Sequence, residues 1–381
     1  MTKTTTWRAL AAAAATSLLL SACGTTGGDA GGDAGGSADA GGSCDYAIGY
    51  FGPLTGDYAN LGINMLNGVK LAVEQHNEES DCDVTLEQYD SQGDPEKATP
   101  LAADAINNKK LLGIVGPSFS GETDATGAAF SEAGLVTVSP SATNPGLSTN
   151  GWDTFHRMLG NDDTQAPAAA QWIEESGAKK VFVIDDASEY GKFIADGVAE
   201  TLGDLVVERD TVQQKQTDFG PTVTKVTAAE ADALWFGGYY AEAGLLAKQL
   251  RSAGWEGTFV SGDGTLDPGF IEAAGADAAE GAVLTCPCAP SPEEFTTAFT
   301  ELNGTDPGTY SAEAYDSANV LLDGIEDGAR DRAALLEFVN NYDAEGITKN
   351  VKFDETGEVA EVVVYAYKVE GGKILPGDPI E

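Results

Sequence analysis

Positive charge is scarce in this sequence. Its 381 residues include 21 Lys and Arg against 61 Asp and Glu, which gives a formal net charge of -40 at pH 7. Because so acidic a surface repels phosphate backbones, a nucleic-acid partner is excluded. Histidine is also scarce, with two residues in the chain, and no Cys-x-x-Cys pair occurs. We therefore predict neither a metal site nor a cofactor.

The motifs of common enzymes are missing as well. His76 and His156 are not part of a His-Glu-x-x-His pair, and the chain has no phosphate-loop signature. The run 116–121 does not have nucleophile-elbow spacing, so Ser120 is not marked as a nucleophile. The run 262–267 lacks the ligand alternation of a calcium loop. We therefore predict that the chain is not an enzyme.

The amino terminus has an apolar run, Ala9–Leu20, that is too short to span a bilayer as a stable helix. It follows two basic residues and ends in Leu20-Ser21-Ala22-Cys23, which resembles the lipobox of bacterial lipoproteins. The resemblance implies that residues 1–22 are a lipoprotein signal peptide and that Cys23 is lipidated. Two or more acyl chains would then hold the protein at the outer face of the bacterial cell membrane. The alternative is an ordinary signal peptide with an incidental cysteine.

Residues 23–43 consist almost entirely of Gly, Ala, Asp, Thr and Ser, which we expect to form a flexible tether. Four cysteines follow, and outside the cytoplasm an even count favours disulfides. Cys44 precedes the first predicted strand and Cys82 the second, so a bridge between them fits neighbouring strands. Cys286 and Cys288 either form a tight bridge of their own or remain free thiols.

From Asp45 onward, short apolar runs alternate with amphipathic segments of helical period. One block of this alternation ends at Val138 and a second spans 165–260. The pattern predicts α/β architecture with two doubly wound lobes, each a parallel sheet covered by helices on both faces. The tail contains three helices and then two strands, predicted as a hairpin with its turn at Asp354–Gly357. Its pieces are expected to complete both lobes.

Polar residues follow the predicted strands, where ligands bind in open parallel sheets. Ser120 lies at the start of a helix, where its hydroxyl and free backbone N–H groups suit an anion. Ser141 and Thr143 add hydroxyls after the next strand. In the second block, Asp263 adds a carboxylate, and two tyrosines add aromatic walls. Because burying a charged group is costly unless it is paired, the set favours a zwitterion. The alternative is that these residues only form turns.

Several segments together resemble the leucine/isoleucine/valine-binding protein family, and the resemblance extends from Asp45 to the carboxyl end. Each segment is a modest signal, but their order and spacing are specific. They are Ile114–Ser120, Val138–Pro145, Phe236–Tyr240 and Ala278–Gly281. The resemblance implies the type I periplasmic-binding-protein fold, in which two doubly wound parallel-sheet lobes are joined by a three-strand hinge. Lobe 1 is expected to comprise 44–159 plus 290–347, and lobe 2 to comprise 160–289 plus 348–381.

The resemblance also implies roles for particular residues. Ser120 and Thr143 would bind a carboxylate, with Ser141 and Ala142 beside it, and Asp263 would pair with an ammonium group together with Thr143. The family often has Glu where this chain has the shorter Asp263. The residues expected to line the pocket are Tyr58, Tyr190, Tyr239 and Tyr310.

The resemblance implies a monomeric receptor that captures aliphatic, branched-chain L-amino acids by hinge closure. It would deliver them to ABC permease subunits driven by cytoplasmic ATPases. Two alternatives stay open: a ligand such as a short amide, urea or an aromatic acid, and a role as an extracytoplasmic sensor. The carboxylate of Asp263 favours a ligand with a positive amino group.

Overall fold

A computed structural model of the protein describes residues 44–360 and 362–380. The predicted signal peptide, the lipidation of Cys23 and the tether lie outside these residues. Within the described part of the chain, none of the helices combines the length and the apolar character needed to cross a membrane.

The first sheet has five parallel strands in the order β2-β1-β3-β4-β5. Its strands are β1 (Tyr46–Gly52), β2 (Val84–Asp90), β3 (Leu111–Val115), β4 (Val136–Ser139) and β5 (Phe155–Arg157). The connecting helices are α1 (Ala59–Glu79), α2 (Pro95–Asn107) and α3 (Ser120–Glu132). Strands β3 and β4 are buried throughout, as strands covered on both faces must be. Helix α2 begins at Pro95 and includes Pro100.

The second sheet is built mainly from the next part of the chain. Its parallel strands are β6 (Val181–Asp185), β7 (Val206–Thr211), β8 (Ala233–Gly237), β9 (Thr258–Ser261) and β10 (Val283–Cys286). The associated helices are α4 (Asp162–Glu175), α5 (Glu189–Leu202), α6 (Gly220–Ala228), α7 (Tyr240–Ser252), α8 (Pro268–Ala274) and α9 (Ala276–Ala279). The sequence had not indicated β10.

The carboxyl-terminal region returns to the first sheet and then to the second. Helices α10 (Glu293–Asn303), α11 (Ser311–Glu326) and α12 (Arg332–Asn340) come first, and α11 packs along α1 and against β3 and β4. The short pair β11 (Asp343–Glu345) and β12 (Asn350–Lys352) follows. Strands β13 (Tyr365–Glu370), β14 (Lys373–Ile374) and β15 (Asp378–Pro379) extend the second sheet beyond β10. The chain therefore passes three times between the layers of the two sheets.

The predicted carboxyl-terminal hairpin is wrong. The turn is present, since the Gly357 N–H donates to the Asp354 carbonyl at 3.0 Å, but only one bridge, Phe353 with Val359, follows it. Strand β12 pairs with β11, and β13 pairs antiparallel with β10. The open edge of β10 offers β13 a complete ladder, in which the apolar side chain of Val369 becomes buried.

The described part of the chain contains two disulfides. Cys44–Cys82 joins the residues that precede β1 and β2, which are neighbouring parallel strands, as the sequence predicted. Cys286 and Cys288 form a tight disulfide at the end of β10, so they are not free thiols. The Tyr367 hydroxyl on β13 donates to the Cys288 carbonyl at 2.8 Å, so this bridge is also tied to the sheet edge.

Candidate functional site

The residues that follow strands β3 and β4 form one side of an enclosed cavity. After β3 the chain turns at Gly116, whose φ of 118° and close approach to the Phe51 carbonyl leave no room for a side chain. This turn leads to Ser120, the first residue of α3. The Ser120 hydroxyl accepts a hydrogen bond from the Asn144 N–H at 3.2 Å, which ties the loop after β4 to the start of α3. The first N–H groups of α3 have no partner within the helix, a property that suits this helix end to an anion.

The residues after β6 and β9 form the opposite side. Asp263 lies just beyond β9, and its carboxylate accepts a hydrogen bond from the Tyr190 hydroxyl at 2.8 Å. The Gly264 N–H donates to the same tyrosine oxygen at 3.2 Å. Burial raises the pKa of Asp263, and the nearby polar side chains of Tyr310, Tyr190 and Gln165 act to lower it. The site therefore contains a buried carboxyl group whose loss of hydration is only partly offset by hydrogen bonds from its neighbours.

Between these two sides lies a small cavity. Six of the nine predicted site residues line it: Ser120, Ser141, Tyr190, Tyr239, Asp263 and Tyr310. Its other walls are Leu61, Met65, Phe119 and Gly264. The cavity thus combines a helix N-terminus and hydroxyls, a carboxylate, and apolar and aromatic surfaces.

Three predicted residues lie outside the cavity wall. Ala142 is fully buried, its N–H donates to the Ser139 hydroxyl, and its carbonyl accepts from Arg157. The Thr143 hydroxyl is buried without a hydrogen-bond partner. The Tyr58 ring lies 4.7 Å from the Tyr239 ring, centroid to centroid, which places it one layer behind the wall. Their predicted ligand roles stay predictions, as do those of the residues that line the cavity.

Tyr310 has an unusual backbone conformation for a residue that is not glycine. It precedes α11 with φ of 65°, and its hydroxyl is buried without a hydrogen-bond partner. Burial raises the pKa of this hydroxyl, and the charge of Asp263 raises it further. Strained backbone and unpaired polar atoms are typical of functional sites.

Contacts between the helices and loops beside the first sheet and those beside the second sheet close the cavity. The Tyr58 hydroxyl donates to Glu242 of α7 at 2.9 Å, and the Asn60 amide donates to Asp267 at 2.9 Å. The Phe119 and Tyr239 rings stack with centroids 4.5 Å apart. The structure therefore shows the two sides in contact around the cavity.

The sequence interpretation missed four wall residues and a buried acid. Leu61 and Met65 are four residues apart on α1, a spacing that indicates an inward face but does not separate core from ligand pocket. Phe119 and Gly264 adjoin predicted residues. Asp162, the first residue of α4, is fully buried, and neither of its carboxyl oxygens has a hydrogen-bond partner. Within residues 44–360 and 362–380, no cluster of three or more metal-ligating side chains occurs.

The two-sheet fold with an enclosed cavity defines a solute-binding protein of the type I periplasmic class. The sequence pattern of the periplasmic binding protein family matches residues 45–373. The Leu/Ile/Val-binding protein BraC3 of Rhizobium johnstonii is 31% identical over 347 residues, which cover 88% of this chain and 94% of that protein. The leucine-, isoleucine-, valine-, threonine-, and alanine-binding protein of Pseudomonas aeruginosa is 30% identical over 324 residues, covering 82% and 86%.

A solved structure agrees with these relatives. The branched-chain amino acid transporter substrate-binding protein LivJ from Streptococcus pneumoniae, in complex with isoleucine, is 27% identical with a TM-score of 0.82. The similarity covers 88% of this chain and 99% of that one. The chain therefore belongs to the Leu/Ile/Val-binding protein family of ABC-transporter substrate-binding proteins. Its relatives are named for the amino acids that they bind or as substrate-binding proteins, and the chain is not an enzyme.

Proposed function

We propose that this protein captures aliphatic L-amino acids and delivers them to a membrane importer. The observation that carries this proposal is the cavity itself, which has the α3 N-terminus with Ser120 on one side and Asp263 on the other. A zwitterion placed between them has its carboxylate at the hydrogen-bond donors and its ammonium group at the acid. Both ligand charges are then paired, which burial of a charge requires.

The walls favour an apolar ligand side chain. Leu61, Met65, Phe119 and Tyr239 offer carbon surface around the polar ends. Asp263 also disfavours urea, short amides and aromatic acids, because none of them brings a positive charge to the buried carboxyl.

Hinge closure would enclose the ligand. We assign lobe 1 to 44–159 plus 290–347 and lobe 2 to 160–289 plus 348–381. The hydrogen bonds from Tyr58 and Asn60 to acidic groups after the second sheet's strands connect the two assigned lobes. Ligand binding would favour the closed state because only there do both lobes contact the ligand.

The setting of this activity is also part of the proposal. Lipidation of Cys23 would hold a monomer at the outer face of the cell membrane, and residues 23–43 would serve as its tether. Family membership supports delivery to ABC permease subunits with cytoplasmic ATPases over a purely sensory role. Uptake of labelled leucine by cells with and without the gene separates the two roles, because a sensor would leave uptake unchanged.

The binding proposal is tested by thermal unfolding of the soluble part, from Cys44 onward, against a ligand panel. The panel holds leucine, isoleucine, valine, alanine, phenylalanine, urea, acetamide and benzoate. A ligand at a hundredfold excess over its Kd stabilises the folded state by about 2.7 kcal/mol, which raises Tm measurably. We expect shifts with aliphatic L-amino acids and none with urea, acetamide or benzoate. Shifts with the uncharged or aromatic-acid ligands alone would overturn the ligand assignment.

A further inference from the structure

A second cleft adjoins the cavity between Ser120 and Asp263, here called the amino acid cavity, and shares Tyr310 with it. Its volume is about 440 Å3, within the range of roughly 300–1,000 Å3 that is usual for small-molecule sites. Its walls come from the loop after β9, the segment that joins β10 to α10, the start of α11, and strands β13 and β14. Under the proposed assignment of lobes, the second cleft therefore contains residues of both lobes. The proposed function does not use it.

Two hydrogen bonds join the walls of the second cleft. The Thr309 hydroxyl donates to the Leu266 carbonyl, and the Tyr367 hydroxyl donates to the Cys288 carbonyl at 2.8 Å. All four residues line the cleft. The first bond connects a residue assigned to lobe 1 with one assigned to lobe 2. The cleft is therefore formed in the state in which the two assigned lobes are in contact, and a ligand that fits it favours that state.

Glu313 is a buried acid in the wall of the second cleft. It lies in the first turn of α11 and is 2% exposed. Among the described residues, none provides a hydrogen-bond partner for its Oε1 atom. The charge of Glu313 raises the pKa of the hydroxyls of Tyr310 and Tyr367, which places its carboxyl near these two wall residues. Because a buried acceptor without a partner costs stability, a donor brought by a ligand would remove that cost.

Lys349 compensates this acid only in part. Its Nζ donates to the Met158 carbonyl at 2.6 Å. Its charge acts to lower the pKa of Glu313, but burial and the charge of Asp316 raise that pKa, and the result is about 7. The carboxyl of Glu313 therefore retains unused capacity to pair with a cation.

The other wall residues indicate the chemistry of a ligand. Among the described residues that line the second cleft, Asp306 and Glu313 are acidic and none is basic. Much of the remaining wall is apolar and includes Pro268, Ile374 and Leu375. Leu375 is 37% exposed, which is unusual for a large apolar side chain. A cation with an apolar body complements both features, whereas an anion would meet two like charges.

We propose that the second cleft binds a small organic amine with an apolar body, whose ammonium group donates to Glu313, and that its occupancy strengthens amino acid binding. Tyr310 connects the two sites, because it lines both and its hydroxyl acts on Asp263. The amine favours the state with the lobes in contact, which is also the state that encloses the amino acid. The coupling rests on the proposed function, but the amine site itself does not.

A titration with hexylamine, followed by methyl NMR of the protein, tests the amine site. The reporters are the methyl signals of Ile374 and Leu375, and the pH is 8, where Glu313 with its pKa of about 7 is mostly ionised. The variants are Glu313→Gln and the matched control Glu301→Gln, which changes an exposed acid of α10. We expect Glu301→Gln to match wild type and Glu313→Gln to bind hexylamine at least about tenfold more weakly. In wild type, 1-hexanol, which has the same body without the charge, should also bind at least about tenfold more weakly than hexylamine.

Asp263→Asn distinguishes the second cleft from the amino acid cavity, whose acid also attracts an amine. Hexylamine should bind to this variant within about twofold of wild type, because the two acids act at separate sites. Three results would overturn the amine site: no binding to wild type, equal binding to Glu313→Gln, or loss of binding in Asp263→Asn. If Glu313→Gln does not fold, Leu375→Ala replaces it. That variant should weaken hexylamine binding by about threefold because it removes apolar wall surface, and unchanged affinity would overturn the site.

Calorimetry of L-leucine with and without saturating hexylamine tests the coupling. We expect leucine to bind about fivefold more tightly to wild type when hexylamine is present, with no such change in Glu313→Gln. Equal leucine affinity would overturn the coupling. Weaker leucine binding would place hexylamine in the amino acid cavity and overturn the inference. Absence of leucine binding under both conditions would refute the proposed function and the coupling, while the hexylamine titration still decides the amine site.

Discussion

Replacement of Asp263 by asparagine tests the cation side of the site. Asparagine has nearly the same shape, and its carbonyl oxygen can still accept the hydrogen bond from Tyr190, now made at 2.8 Å. The fold should therefore persist. What is lost is the negative charge that would face the ligand's ammonium group.

The size of the effect follows from the burial of this carboxyl, which is 3% exposed. A hydrogen bond to a charged group contributes about 1.5–3 kcal/mol, which corresponds to roughly 10- to 150-fold in Kd. We expect calorimetry to show weaker leucine binding by that factor. Binding of an uncharged ligand, if any occurs, should change little, because it has no positive charge to lose.

The matched control is Asp277→Asn, because Asp277 is exposed on α9. This substitution removes the same charge from the same assigned lobe. It should bind leucine as wild type does, which separates the local charge from the overall charge of the protein. Unchanged leucine affinity in Asp263→Asn, with a normal Tm, would refute the assigned role of this carboxyl.

Three further predictions follow from the structure. Tyr58→Phe removes the hydrogen bond to Glu242 that joins the two assigned lobes, so leucine binding should weaken by about fivefold, a loss of about 1 kcal/mol. Unchanged affinity would show that this contact does not contribute to closure. The free energy of unfolding should fall as pH rises toward 7. Burial raises the pKa of three acids to about 7, so below that pH the folded state keeps protons on these acids that the unfolded state has already released. These acids are Glu122, Asp186 and Glu313. Urea unfolding measured at several pH values in this range should show that the free energy of unfolding changes less steeply with pH in Glu313→Gln than in wild type. An equal dependence on pH would contradict the raised pKa of Glu313. Replacing Cys44 and Cys82 by serine opens a loop with a sequence separation of 38, which should cost about 4 kcal/mol in the chain-entropy model; an unchanged Tm would show that the bridge adds no stability.

Much of the fold could be predicted from local patterns in the sequence. Helix Glu189–Leu202, for example, follows a turn, and apolar residues recur along its buried face. The parallel sheets follow from the alternation of strands and helices. Strand β10 and its pairing with β13 could not be predicted from the sequence. The pairing of an edge strand depends on which strand elsewhere in the fold has an unpaired edge, and not on the residues nearby in the sequence.

The site was predictable to the extent that it lies at strand ends. Ser120, Ser141 and Asp263 follow β3, β4 and β9, so the topology brings them together. Asp162 was missed because an acid in the first turn of a helix is typical of an exposed residue that favours the helix dipole. Its burial results from the packing of α4 against the loop after β4, a contact that the sequence around Asp162 does not reveal.

The central claim is that the cavity recognises both charges of an amino acid. The most direct test is calorimetry of L-leucine beside isocaproate, which lacks the amino group, and isoamylamine, which lacks the carboxylate. We predict that leucine binds and that each analogue binds at least about a hundredfold more weakly, because each leaves one buried charge partner unpaired. Binding of isocaproate as tight as that of leucine would contradict the ammonium subsite and the account built on it.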